Sequence, residues 1–314
     1  MKAKWPILDY SAYKDTAYLL HQWSQMVGKV RLRKSPWQNH SWHVALYLDA
    51  QGMTTGPIPY EGGIFEIKFD FTQHELKVRS SNGTRDRFSL GNQTVASFYE
   101  QLREKLDFIG IKVKITKTPN EIPDAIPFDQ NTKRIPYLPN EAKNIWKALI
   151  QIHNVMTVFR SRFRGKNSPI HFFWGSFDLA YTRFSGATAP EFEGEVPNLA
   201  KEVMQEAYSH EVFSVGFWPG GEQFPQAVFY AYCYPNHPDF KNKKIQPEEA
   251  RWSDDLGEFI LPYEAVQKAT NPTKKLLDFL ESTYKAATEV GSWDRNQLDC
   301  DFSSLEKKNS NITI

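Results

Sequence analysis

Apolar positions along the chain recur with two periods. In residues 13–27, "YKDTAYLLHQWSQMV", Tyr18, Leu19, Trp23, Met26 and Val27 fall at helical spacing and predict an amphipathic helix. The same spacing predicts helices over 92–110, over the stretch opening at Asn140 with that residue as N-cap, over 198–208 and over 272–288. Between them the period drops to two. "WHVALYLDA" puts Val44, Leu46 and Leu48 on one strand face, and "GIFEIKFDF" (63–71) alternates strictly. "ELKVRSS" and "RDRFSL" flank Asn82-Gly83, a hairpin signal. "KVKITK", residues 170–184, "EVFSVGFW", "AVFYAYCYP" and "GEFILPYE" read as further strands.

Residues 118–140 hold five prolines, which resist helix and central strand alike. This connector divides the chain into an N-terminal α+β half (1–117) and a C-terminal α+β half (141–298), followed by a polar tail, 299–314. The halves echo one another. With His21 set over His153, "HQWSQMVGKVRLRKSP" lies over "HNVMTVFRSRFRGKNSP" with one gap. A histidine follows each (His40 and His171), and then a strand. The expected fold class is α+β, two similar halves of mostly antiparallel sheet packed with helices. The echo raises an internal duplication about a pseudo-twofold axis.

Composition narrows the function classes. The 314 residues are 40% hydrophobic and 24% charged, with a net charge of +1. That profile predicts a globular protein and excludes a general nucleic-acid binder, which needs a surplus of cations. Two cysteines, Cys233 and Cys300, give no disulfide framework and no Cys-based zinc site. No apolar run reaches the roughly 18 residues of a membrane span, and the first twenty residues lack an apolar core of signal-peptide length. No membrane association and a cytoplasmic setting are the expectations. Aromatics reach 14%, enough to fill a core and line a pocket as well.

Two stretches, "GKVRLRKSPWQNHSWHVALYLDAQGMTTGPIP" and "SPIHFFWGSFDLAYTRFSG", resemble a bacterial family defined as domain of unknown function 5996. The resemblance runs from about Trp5 to Trp293 and implies no activity, cofactor or catalytic residue. It leads one to expect a basic residue after "FSG", where this chain has Ala187.

Candidate chemistry concentrates in "HFFWGSFDLAYTRF". If it is one continuous strand, Phe172, Trp174, Ser176, Asp178, Ala180 and Thr182 share a face, and His171 and Phe173 share the other with Leu179 and Tyr181. A carboxylate among aromatics is costly to bury unless paired or working, so Asp178 is the leading candidate. The alternative is a solvated edge strand, or an ion pair to Arg183. "WQNHSWH" places His40 and His43 three apart at a loop-to-strand corner, as ligands, acid–base groups or loop braces. His210 opens a strand and could face the same site. The basic runs Lys29, Arg31, Arg33, Lys34 and Arg160, Arg162, Arg164, Lys166 either complement helix dipoles or converge on an anionic ligand. No phosphate-loop, dinucleotide or nucleophile-elbow motif occurs; "WGSFD" lacks the second glycine.

The sequence therefore predicts a small-molecule enzyme with a His/Asp site in an aromatic cleft between the halves. Asp178, His171, His40, His43 and His210 are its catalytic candidates. Lys166, Arg183, Trp174 and Ser176 are its ligand-binding candidates. A divalent metal is admitted by this set but not required. The alternative is a non-catalytic ligand-binding or protein-interaction module using the same cleft.

Overall fold

The structure, a computed structural model, describes residues 4–91 and 93–300; of the predicted tail only Asp299 and Cys300 fall among them. Helix α1 (Tyr10–Lys34) opens the chain, capped by Asp9, whose side chain accepts from the Ser11 N–H. Short strands β1 (Tyr47–Leu48), β2 (Gly52–Thr54) and β3 (Ile58–Tyr60) follow, then β4 (Gly63–Asp70), β5 (Glu75–Ser80), β6 (Arg85–Ser89) and α2 (Val95–Phe108). The second half runs α3 (Pro139–Ser161), β7 (His171–Phe173), β8 (Asp178–Thr188), α4 (Lys201–Ala207), β9 (His210–Trp218) and β10 (Val228–Tyr234). It closes with β11 (Arg251–Ser253), β12 (Glu258–Pro262), α5 (Tyr263–Gln267), α6 (Pro272–Val290) and α7 (Arg295–Leu298).

The strands form two antiparallel sheets of six, ordered β1-β2-β4-β5-β6 with β3 beside β4, and β11-β12-β10-β9-β8-β7. They meet where Leu46 and Phe172 exchange both backbone hydrogen bonds at 2.9 Å. Each sheet thus begins at this junction and grows outward. Helix α1 packs against both α2 and α3, and so bridges the two halves. α3 and α6 cover the face of the second sheet that carries Leu179, Tyr181, Phe213, Val215, Phe217 and Phe229, all buried.

Three local expectations need correction. "KVKITK" is irregular, because no neighbouring strand offers its backbone a ladder. The stretch before Tyr47 is a pair of 3-10 turns over Asn39–Val44, with His40 and Ser41 both at φ 55°, rather than a strand from Trp42. Helix α3 starts one residue ahead of Asn140. Leu138 is its N-cap and Pro139 occupies the first turn, where a missing N–H costs nothing.

The fourth difference matters most. Residues 170–184 are a hairpin, not one strand, with a turn over 174–177 and Phe177 at φ 60°. Phe173 pairs with Asp178 and His171 with Ala180. The turn shifts the parity, so His171 and Phe173 share a face with Asp178, Ala180 and Thr182. Arg183 lies on the opposite face, 1% exposed. Its guanidinium stacks 3.6 Å from the Phe159 ring and 4.2 Å from Tyr284, and donates to the Phe159 carbonyl at 2.5 Å. Arg183 is a core brace and holds no anion in the cleft.

Candidate active site

A cavity of about 290 Å³ lies on the uncovered face of the second sheet. Alternate positions of β8, β9 and β10 form its floor: Asp178, Ala180 and Thr182, then Ser214, then Tyr230 and Tyr232. The 3-10 segment supplies Trp42, the hairpin turn supplies Trp174, and α4 supplies Val203 and Met204. The proline-rich connector also contributes, through Asn120 and Glu121.

Asp178 is 7% exposed. One carboxylate oxygen accepts from Ser176 Oγ and the other from the Tyr230 hydroxyl. Burial pushes this carboxyl up, and the two hydroxyl donors offset only part of that rise. Tyr230 reaches it diagonally across an intervening strand, over Gly216, which stands in register between Tyr230 and Ala180. A Cβ there would lie 2.2 Å from the tyrosine ring, so glycine makes the close approach feasible.

Glu121 faces the same cavity from the connector. Its backbone is left-handed (φ 61°), and its N–H donates to the Pro197 carbonyl at 2.7 Å. Its carboxyl rests on the bare backbone of Gly175, where a Cβ would sit 1.8 Å from Oε1. Burial, and then the Asp178 charge, push it up to about 7. Helix α1 holds this segment with residues four apart on one face. Gln25 and Asn120 exchange hydrogen bonds of 2.7 and 2.8 Å, and Lys29 donates to Asn120 Oδ1. His21 donates through Nε2 to the Gly175 carbonyl at 2.8 Å, and burial lowers its pKa to about 4. Lys29 is 4% exposed, and burial brings its ammonium down to about 8.

The hydroxyls continue along the floor. Thr182 and Ser214 lie 2.9 Å apart, as do the Tyr208 and Tyr232 hydroxyls. Behind that tyrosine pair a second cavity holds Glu258, pushed up to about 8 by burial and then by Asp178.

The opposite end is basic. His40 Nδ1 donates to the Glu206 carbonyl at 3.0 Å, and Nε2 accepts from Lys166 at 2.6 Å. Both rings and charges gather on Phe184, which lies 4.7 Å from the His40 ring and 4.7 Å from the Lys166 ammonium. Burial, and then Lys166, lower the His40 pKa, so its imidazole is neutral. His210 meets His40 edge-on at 5.9 Å and shares a contact with Ser209 Oγ at 3.0 Å.

The predicted set is therefore only partly brought together. Asp178, Ser176, Trp174 and His40 line the cavity, and Lys166 with His210 sits beside His40. His43 turns away and accepts from the Gln38 N–H at 3.3 Å. His171 is fully buried among Trp42, Tyr47 and Phe173 with neither ring nitrogen partnered, and burial lowers it to about 3. Among the described residues no histidine hydrogen-bonds Asp178. The basic cluster is anchored at Phe184, six residues and roughly 20 Å along the strand at about 3.3 Å per residue. The basic runs do not converge on an anion: Arg31 donates to the Ala45 and Thr55 carbonyls, and Arg160 to Asn167 and the Ser168 carbonyl. Among the described residues no group of three or more His, Cys, Asp or Glu side chains could hold a metal ion.

Sequence reasoning missed Glu121, Tyr208, Tyr230 and Tyr232. The alternation in "FYAYCY" places Tyr230 and Tyr232 on one face and is the signal that could have found two of them. No helix among the described residues is long and apolar enough to cross a membrane. No curated protein and no solved structure matches the chain. The family model matching residues 5–300 is that of a family of unknown function, DUF5996, and the chain belongs to that family.

Proposed function

We propose that the chain is a small-molecule enzyme whose chemistry is proton transfer by carboxyl groups. Asp178 and Glu121 are the acid–base pair, in place of the Asp–His pair expected from sequence. The observation that carries this reading is Asp178 itself. It is a buried carboxyl on a cavity wall, held by two hydroxyls and paired with no cation among the described residues. A buried carboxyl that holds two hydroxyl donors on its oxygens can accept a proton, and a neighbour near 7 can give or take one at neutral pH. The aromatic walls exclude water and position an apolar body. The two free cysteines, Cys233 and Cys300, support a reducing cytoplasmic setting.

A non-catalytic binding role is favoured by one observation, the lack of any histidine bonded to Asp178. Incubation with a metabolite extract in D₂O, followed by mass spectrometry, separates the two. A catalyst depletes a compound or loads deuterium into it, and Asp178→Asn does not. An extract left unchanged by the wild type contradicts catalysis.

A further inference from the structure

We infer that the cavity takes a protonated amine on an apolar or aromatic body, its ammonium seated between the carboxyl groups of Asp178 and Glu121. This rests on the cavity being a ligand site and names what enters it.

Three features argue for a cation. The groups that meet Asp178 are neutral hydroxyls from Ser176 and Tyr230. Glu121 lies against Gly175 with no donor on its carboxyl among the described residues. Among the described residues no cation acts on either group, and the charge that acts on Glu121 is that of Asp178. The nearest ammonium on α1, Lys29, lies 5.8 Å from the Trp174 ring and is spent on Asn120. A buried carboxyl beside a half-buried one, without a counter-charge, is stabilised by a ligand that brings one.

The walls specify the rest. Trp174, next to Gly175 and Ser176, presents a ring on which an ammonium rests favourably. Val203 and Met204 offer no polar atom to a polyol, which argues against a sugar. The Lys166–His40 pair would suit an anion but is anchored at the Phe184 end, away from the acids. A metal ion would need a third ligand, which the described residues do not bring together. About 290 Å³ is near the lower end of ligand pockets and fits a single-ring molecule.

The test is calorimetric titration of the full chain with phenethylamine, phenethyl alcohol and phenylacetate at pH 6 and pH 8. The amine should bind with proton release, and up to about tenfold tighter at pH 8, because a carboxyl titrating near 7 must ionise to receive it. The alcohol should bind roughly ten- to a hundredfold more weakly, the worth of one charge-assisted hydrogen bond, and phenylacetate more weakly still. Glu121→Gln, checked for folding by circular dichroism, should weaken the amine far more than the alcohol and abolish the pH dependence. Alcohol or acid binding as tightly as amine overturns the amine assignment and leaves the cavity a ligand site. So does amine binding unaltered in Glu121→Gln. If none of the three binds the wild type, the ligand-site reading falls with it.

Discussion

Tyr230 donates its phenolic hydrogen to the carboxylate of Asp178 across β9, over the space left by Gly216. The bond ties β10 to the start of β8 and aims a buried acid at a cavity. Gly216→Val should break it by pushing the ring aside. Overpacking of this kind costs about 1–3 kcal/mol. Tyr230→Phe removes the same bond without the clash, and should cost a similar amount through an under-satisfied buried acceptor. Urea unfolding of both variants, with equal m-values, checks this.

Stability should depend on pH in two opposing ways. Glu121 and Glu258 have folded pKa values raised from 4.5 to about 7 and about 8. Their contribution is fully present below about 4.5 and is lost as pH rises through those values, by up to about 3 kcal/mol for Glu121 and about 5 kcal/mol for Glu258 above the folded pKa. His171 and His21 are lowered from 6.5 to about 3 and about 4. They stabilise above 6.5, and that contribution is lost as pH falls through the folded values. Melting temperature against pH should therefore peak in mildly acid solution. Glu121→Gln should flatten the alkaline side only.

His171→Leu should leave stability unchanged or raise it by about 1 kcal/mol. The imidazole has two nitrogens without partners in an aromatic box, and replacing an unsatisfied buried polar group by an apolar one removes a penalty. A loss above about 2 kcal/mol in chemical denaturation would contradict that account of the residue.

Gly28→Ala should disturb the cavity from behind. An added Cβ would lie 2.1 Å from Trp174 Nε1, so the indole must move and its bond to the Val44 carbonyl (2.9 Å) must stretch. The expected cost is about 1–3 kcal/mol, with a shift in tryptophan fluorescence.

Much of the fold was legible because burial on one face imposes a period that sequence displays. "GIFEIKFDF" and "AVFYAYCYP" became β4 and β10 where the alternation placed them. The hairpin at 174–177 was not legible. Its turn is built from Trp174, Gly175, Ser176 and Phe177, with a left-handed phenylalanine where sequence rules look for glycine or asparagine. Asp178 and Ser176 stood out as polar groups among aromatics, Trp174 being one of those. Glu121 did not, because a connector held by Gln25 and Lys29 of a distant helix carries no local signal of where it points. Tyr230 and Tyr232 did not stand out either, since aromatic alternation looks the same whether hydroxyls face a cavity or a neighbour.

The account turns on two carboxyls sharing one cavity, and carboxyl titration by ¹³C NMR on Glu- and Asp-labelled protein tests it most directly. One glutamate carboxyl, assigned by its loss in Glu121→Gln, should titrate near 7. In Asp178→Asn it should move downward while staying above the ordinary range, because burial remains when the neighbouring charge is gone. A Glu121 signal titrating between about 4 and 5, the range of a solvated glutamate, and indifferent to Asp178→Asn would contradict the account.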